Sequence, residues 1–202
     1  MHFHYPHSRR VIVGYHGCDK RTAIAVLGKG GELVASENRY DWLGKGIYFW
    51  EEGFQRAKEF AEEQKARNRV TEPFVIGAYL DLGHCFDLTD TRATGQLNRF
   101  YKDLKRQLDK VGTPMPTNDR ANDGDDDLLL RKRDCAVINS GLLALEQVGE
   151  PYQSVRGMFQ EGKPAFPGAA IREKSHVQLA IRDPKCILGY FQPAGYAIFD
   201  GE

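Results

Sequence analysis

Glycine, lysine and aromatic side chains crowd into one stretch, Asp41-Trp42-Leu43-Gly44-Lys45-Gly46-Ile47-Tyr48-Phe49-Trp50, and residues of these types at this spacing suit the binding of a ligand. Gly44 and Gly46 allow a close approach to the backbone that a Cβ would block. Ile47 to Trp50 is a β-prone run with alternating faces, so one face is core and the other presents Tyr48. Upstream, Gly14-Tyr15-His16-Gly17-Cys18 closes the apolar strand Val11-Ile12-Val13, with glycines clearing space beside His16. Each motif has two readings. The first is a Gly-bracketed hairpin with an aromatic packing pair, the second a ligand site; likewise His16 is either a hydrogen-bonded strand end or a ligand contact.

These residues need elements to position them. Val11 to His16 predicts a strand with Ile12, Gly14 and His16 on one face. Thr22 to Leu27 predicts a short helix stopped by the glycine run 28–31, and Ser36 to Tyr40 a polar loop. From Glu51 to about Asn68 the spacing predicts a helix. Its apolar stripe is Phe54, Ala57, Phe60 and Ala61, with Arg56 among the charged residues opposite, Glu51 and Glu52 at its positive end, and Phe60 facing Tyr48. Phe74 to Leu82 is apolar on both faces and reads as a central strand. Leu97, Phe100, Leu104, Leu108 and Val111 mark a second amphipathic helix, and Leu128 to Val148 a third, interrupted at Ser140-Gly141. Residues 112–127 form an exposed loop with an acidic cluster, 156–174 a loop rich in Gly and Pro, and His176–Ile181 and Cys186–Phe191 two strands. The expectation is one α+β domain over 1–202, with a mainly helical insertion at 93–150 carrying the acidic loop 118–127.

Lysine plus arginine equals aspartate plus glutamate at 28 each, so no global field argues for nucleic acid or a membrane surface. The cysteines Cys18, Cys85, Cys135 and Cys186 form no Cys-x-x-Cys pair and read as reduced thiols. No signal-peptide pattern and no membrane-length apolar run is present, which predicts a cytoplasmic protein with no membrane partner. His2 and His4 would share a strand face as a metal pair, but no acidic or Cys partner follows at ligand spacing, and no metal is expected.

A strand ending in Tyr15-His16-Gly17, followed after a gap by Gly44-Lys45-Gly46-Ile47-Tyr48-Phe49 and a helix, resembles the ADP-ribosyltransferase superfamily, in its His-Tyr-Glu branch of diphtheria toxin and the poly(ADP-ribose) polymerases. The resemblance covers roughly residues 10–82 and 155–192. It implies a split antiparallel β-sandwich around an NAD cleft, with two antiparallel sheets. It also implies that NAD is the co-substrate. His16 would hydrogen-bond the adenosine-side ribose, Gly17 would pair with the nicotinamide amide through its backbone, Tyr48 would stack on the nicotinamide ring, and Phe60 would close the ring's other face. The loop before His176 would meet the acceptor.

In the third motif of that branch a glutamate stands where this chain has Gln178. Glutamine accepts a hydrogen bond from the ribose hydroxyl but brings no negative charge to an oxocarbenium-like state. Glu173, five residues earlier, is the alternative carboxylate. The resemblance implies an NAD-dependent mono-ADP-ribosyltransferase acting on a protein or nucleic-acid acceptor, of the kind found in bacterial toxins and phage-defence effectors with an antitoxin-like partner. Two other readings stay open: a degenerate module that binds NAD or ADP-ribose without turnover, and an NAD glycohydrolase.

Overall fold

A computed structural model of the chain describes residues 11–121 and 127–196, so His2 and His4 and most of the acidic cluster lie outside the described residues. Strand β1 (Val11–Asp19) runs past His16 to Asp19, whose carboxylate accepts from the backbone of Arg21 at 3.0 Å and of Thr71 at 2.7 Å. Asp19 is thereby the cap that starts helix α1 (Lys20–Ala23) ahead of the predicted Thr22, and α1 continues as a wider π-helical turn over Ile24–Gly28. Strand β2 (Ile47–Glu51) keeps Glu51, and Glu52 has φ 49, so helix α2 (Phe54–Ala66) starts later than the charge pattern predicts. Glu51 is engaged elsewhere: both its oxygens accept from Arg156, at 2.6 and 3.1 Å. A bidentate pair to Arg156, two strands away in the sheet, outweighs a weak interaction with a helix dipole.

Strands β3 (Pro73–Asp81) and β4 (Cys85–Asp87) precede helices α3 (Thr91–Lys110) and α4 (Lys132–Gln147). Helix α4 is continuous through Gly141, where the Phe100 ring occupies the space a Cβ would fill. Strand β5 (Ser154–Phe159) takes the first part of the predicted loop at 156–174. Strand β6 (His176–Ile181) falls where the alternation puts it, and β7 (Ile187–Phe191) follows a 3₁₀ turn that holds Cys186.

The seven strands form one sheet in the order β4-β5-β6-β2-β1-β3-β7, antiparallel throughout except for the parallel pair β4/β5. The expected pair of sheets is thus a single mixed sheet with a weak seam. Strand β1 pairs with β3 along its whole length, from Val11 opposite Asp81 to Asp19 opposite Pro73, yet with β2 only at Gly14 opposite Glu51 and Tyr15 opposite Trp50. Beyond Tyr15 the two strands part. On one face Phe49, Ile76, Leu80, Leu179 and Ile181 form a continuous core. On the other, α2 covers Trp50 and Val75 through Ala57, while α3 and α4 cover Phe86, Val155 and Ala180 through Phe100, Ile138 and Leu142. Helices α3 and α4, from the segment expected to be a mainly helical insertion, therefore supply part of the core on that face. No helix among the described residues is long and apolar enough to cross a membrane.

Candidate functional site

Where β1 leaves β2, an open cavity of about 320 Å³ lies over the seam, between α2 and the segment that leads into α4. His16, Tyr48, Phe60 and Gln178 all line it. Gly17 and Glu173 are not among the lining residues. Gly17 has a packing reason for its identity: a Cβ there would stand 2.1 Å from the carbonyl oxygen of Ala57, so α2 rests on β1 through this glycine.

The seam fixes His16. Instead of a ladder bond to β2, its ring Nδ1 lies 2.8 Å from the carbonyl oxygen of Tyr48. A carbonyl can only accept, so Nδ1 carries the proton and Nε2 keeps its lone pair. Burial lowers the pKa of His16 and the Tyr48 carbonyl only partly offsets this, which keeps the ring neutral.

Tyr48 is fastened at its tip. Its hydroxyl donates to Gly44 O at 2.7 Å and accepts from Leu43 N at 2.9 Å, closing the turn that precedes β2. Burial first, then the negative charge of Asp41, pushes the phenol well above its ordinary pKa, so it stays a donor. Gly44 sits at φ 76, and a Cβ there would stand 2.5 Å from Oδ1 of Asn139, which accepts from Lys45 N at 2.8 Å. Helix α4 thus holds the turn that holds Tyr48, a link between distant segments that no local pattern announces.

Gln178 is opposite Trp50 on β2 and Gly157 on β5 and is 9% exposed. Phe60 makes its ring contact with Trp50, at 5.0 Å between centroids, rather than facing Tyr48 as the helix pattern suggests. Trp42 forms another wall: its Nε1 donates to Leu129 O at 2.9 Å, the Arg131 guanidinium lies 3.8 Å over its ring, and Phe159 meets it edge-on at 4.9 Å.

Charge in the cavity comes from residues the sequence reading did not assign to it. Arg56, placed by periodicity on the solvent side of α2, is only 9% exposed and donates from Nη2 to Glu161 Oε2 at 3.1 Å. Glu161 also lies 4.0 Å from Lys174, which donates to Glu63 at 2.9 Å. Glu173, by contrast, is exposed in the loop; its backbone N–H bonds Lys163 O as part of a hairpin that spans 161–174. That hairpin turns the Glu173 side chain away and brings Glu161 inward, so the cavity's carboxylates are Glu161, Glu63 and Asp41. The missed signal is the pairing of Arg56 with an acid 105 residues away, which spacing within a helix cannot show.

Several buried polar atoms at the cavity have no hydrogen-bond partner among the described residues: Asp41 Oδ2, Trp50 Nε1, and Nε and Nη1 of Arg56. Such atoms are costly unless something pairs with them. The assembled groups are a neutral imidazole acceptor, flat aromatic faces, an amide that both donates and accepts, and a carboxylate held by a guanidinium. They can bind a planar heteroaromatic ligand that carries hydroxyls. Among the described residues no group of three or more His, Cys, Asp or Glu is arranged to hold a metal ion. The four cysteines are free, and burial pushes the Cys18 and Cys85 thiols up to about 12, far from nucleophilic thiolates.

No family model matches the chain. An uncharacterized protein of the archaeon Methanocaldococcus jannaschii is 33% identical over 103 residues, covering 48% of each protein, so the chain spans about half the length of the curated relative it matches.

Proposed function

We propose that the protein is an NAD-dependent mono-ADP-ribosyltransferase, built on a split β fold of the ADP-ribosyltransferase type, that transfers ADP-ribose to a macromolecular acceptor and releases nicotinamide. The observation that carries this reading is convergence: His16, Tyr48, Phe60 and Gln178, drawn from three strands and a helix, line one cavity. In this reading Nε2 of His16 accepts from a ribose hydroxyl, the Tyr48 ring gives the nicotinamide a flat face, and the amide of Gln178 positions the second ribose. The bond from ribose C1′ to the nicotinamide nitrogen breaks with its electron pair leaving on nicotinamide. A nucleophile of the acceptor forms the new bond to C1′ and loses its proton. Glu161 is the carboxylate available to offset the positive charge on the sugar, although Arg56 shares its charge.

Nicotinamide release from NAD, measured with and without cell extract, together with mass analysis of labelled macromolecules, tests the proposal. Release that requires extract, with a mass increase of one ADP-ribose on an acceptor, is the expected result. Release independent of extract indicates a glycohydrolase. The uncharged Gln178 favours a second reading, a module that binds NAD or ADP-ribose without turnover. That reading predicts a raised melting temperature in NAD with no nicotinamide formed.

A further inference from the structure

The charged residues lining the cavity do not compensate one another evenly. Arg56 is matched by Glu161, and Glu63 by Lys174. Asp41 takes hydrogen bonds from Ser36 and Asn38, and burial raises its pKa towards the neutral form. Arg67 and Arg69, at the C-terminal end of α2, also line the cavity, and both are exposed. Among the described residues neither has a carboxylate within ion-pair distance and neither guanidinium makes a side-chain hydrogen bond. They flank Asn68, which takes the left-handed conformation at φ 57 and ends the helix, while the backbone N–H groups of Arg67 and Arg69 bond Glu63 O and Gln64 O at 3.2 and 2.9 Å. The helix end is fixed by these bonds, and its two guanidinium groups are left for something else.

The cavity lining therefore combines two chemistries. His16 and the aromatic side chains offer a neutral imidazole and flat faces, and the exposed Arg67 and Arg69 offer positive charge with no ion-pair partner among the described residues. A ligand that satisfies both carries a flat heteroaromatic ring and an anion. We propose that Arg67 and Arg69 form a subsite for the diphosphate of a dinucleotide, whose two negative charges at neutral pH match the two unpaired guanidinium groups. This inference rests on the proposed function for the identity of the ligand and adds a pair of binding residues to it. Arginine suits the task because its planar fork meets two phosphate oxygens at once.

The test is titration of the full chain with NAD, and with nicotinamide riboside, which has no phosphate, in wild type and in the Arg67→Ala/Arg69→Ala variant. Both side chains are exposed, so the variant is expected to melt with the wild type. Loss of the pair should weaken NAD binding roughly tenfold to thirtyfold, discounting each contact for solvent exposure, and leave nicotinamide riboside binding within about twofold. Arg67→Lys/Arg69→Lys keeps the charge and should recover part of the loss. Inorganic pyrophosphate should compete with NAD in the wild type and not in the alanine variant. If the wild type binds NAD and the alanine variant binds it equally well, the diphosphate subsite is overturned while the proposed function stands. If the wild type binds no NAD, both fall.

Discussion

Replacing Gly17 by alanine puts a methyl carbon 2.1 Å from the carbonyl oxygen of Ala57 and 3.1 Å from its carbon. A comfortable contact is roughly 3.5 Å, so α2 and β1 must separate by more than about 1 Å. Neither side yields easily. The obstacle is backbone rather than a rotatable side chain, and Ala57 and Ala61, the residues α2 presses on the sheet, are 0% and 1% exposed. Overpacking of this kind costs about 1–3 kcal/mol, and a backbone clash belongs at the upper end, about 3 kcal/mol. At roughly 2–4 °C per kcal/mol for a chain of this size, the melting temperature should fall by about 6–12 °C. Circular dichroism melts measure it, with Gly95→Ala in α3 as control, since a Cβ there meets nothing within 4 Å. That control should melt at or slightly above the wild-type temperature, because alanine favours a helix interior by up to about 1 kcal/mol. Gly17→Ala melting within about two degrees of the wild type would refute the close-approach account and return Gly17 to a ligand role.

Three further outcomes are expected. Gln178→Ala should leave NAD binding within about threefold and lower nicotinamide release by roughly 10²-fold, while Gln178→Glu should preserve or raise release; full turnover in the alanine variant would remove Gln178 from the site. Arg56→Met leaves the largely covered Glu161 with only Lys174 near it and should cost about 1–3 kcal/mol in urea denaturation, with part recovered in Arg56→Met/Glu161→Gln; an unchanged midpoint in the single variant would show the pair to be idle. Burial lowers the pKa of both His16 and His176, so on acidification the unfolded chain takes up protons at about pH 6.5 that the folded chain does not. Stability is then full above that pH and declines below it. Melting temperatures between pH 7.5 and 5.0 should drop, less steeply in His16→Gln, and a flat profile would contradict the neutral buried imidazole.

What the sequence revealed follows from how far each signal reaches. Strand β6 and the long strand β3 were legible because their alternation or continuous apolarity is local. Strand β5 was not, since Arg156 and Gly157 interrupt its apolar run; Arg156 is there to bind Glu51, two strands away. His16, Tyr48 and Gln178 were singled out from motifs and line one cavity, yet the reason they meet is the parting of β1 from β2, a property of the sheet rather than of either strand. Arg56 was missed because a periodicity argument assigns every charge on a helix to water, and Glu161 because it lies in a Gly- and Pro-rich hairpin whose fold no periodicity marks. Phe60 was placed on the correct helix face but against the wrong neighbour, because spacing fixes a face and leaves open which of Tyr48 and Trp50 stands opposite it.

Strand β6 lies between β2 and β5, yet the chain supplies it only at residues 176–181, after both of its neighbours. During synthesis β1, β2 and β3 can pair early, and β4 and β5 can pair later, but nothing joins the two groups until β6 leaves the ribosome. At roughly 5–20 residues per second, β2 waits several seconds or more with one edge open. Open edges of this kind invite pairing with other chains, so the interval is when the nascent protein most needs a chaperone. The same delay keeps Gln178 away from Tyr48 and Trp50 until most of the polypeptide has been made, so the wall of the cavity that Gln178 supplies is among the last parts of the sheet to be put in place.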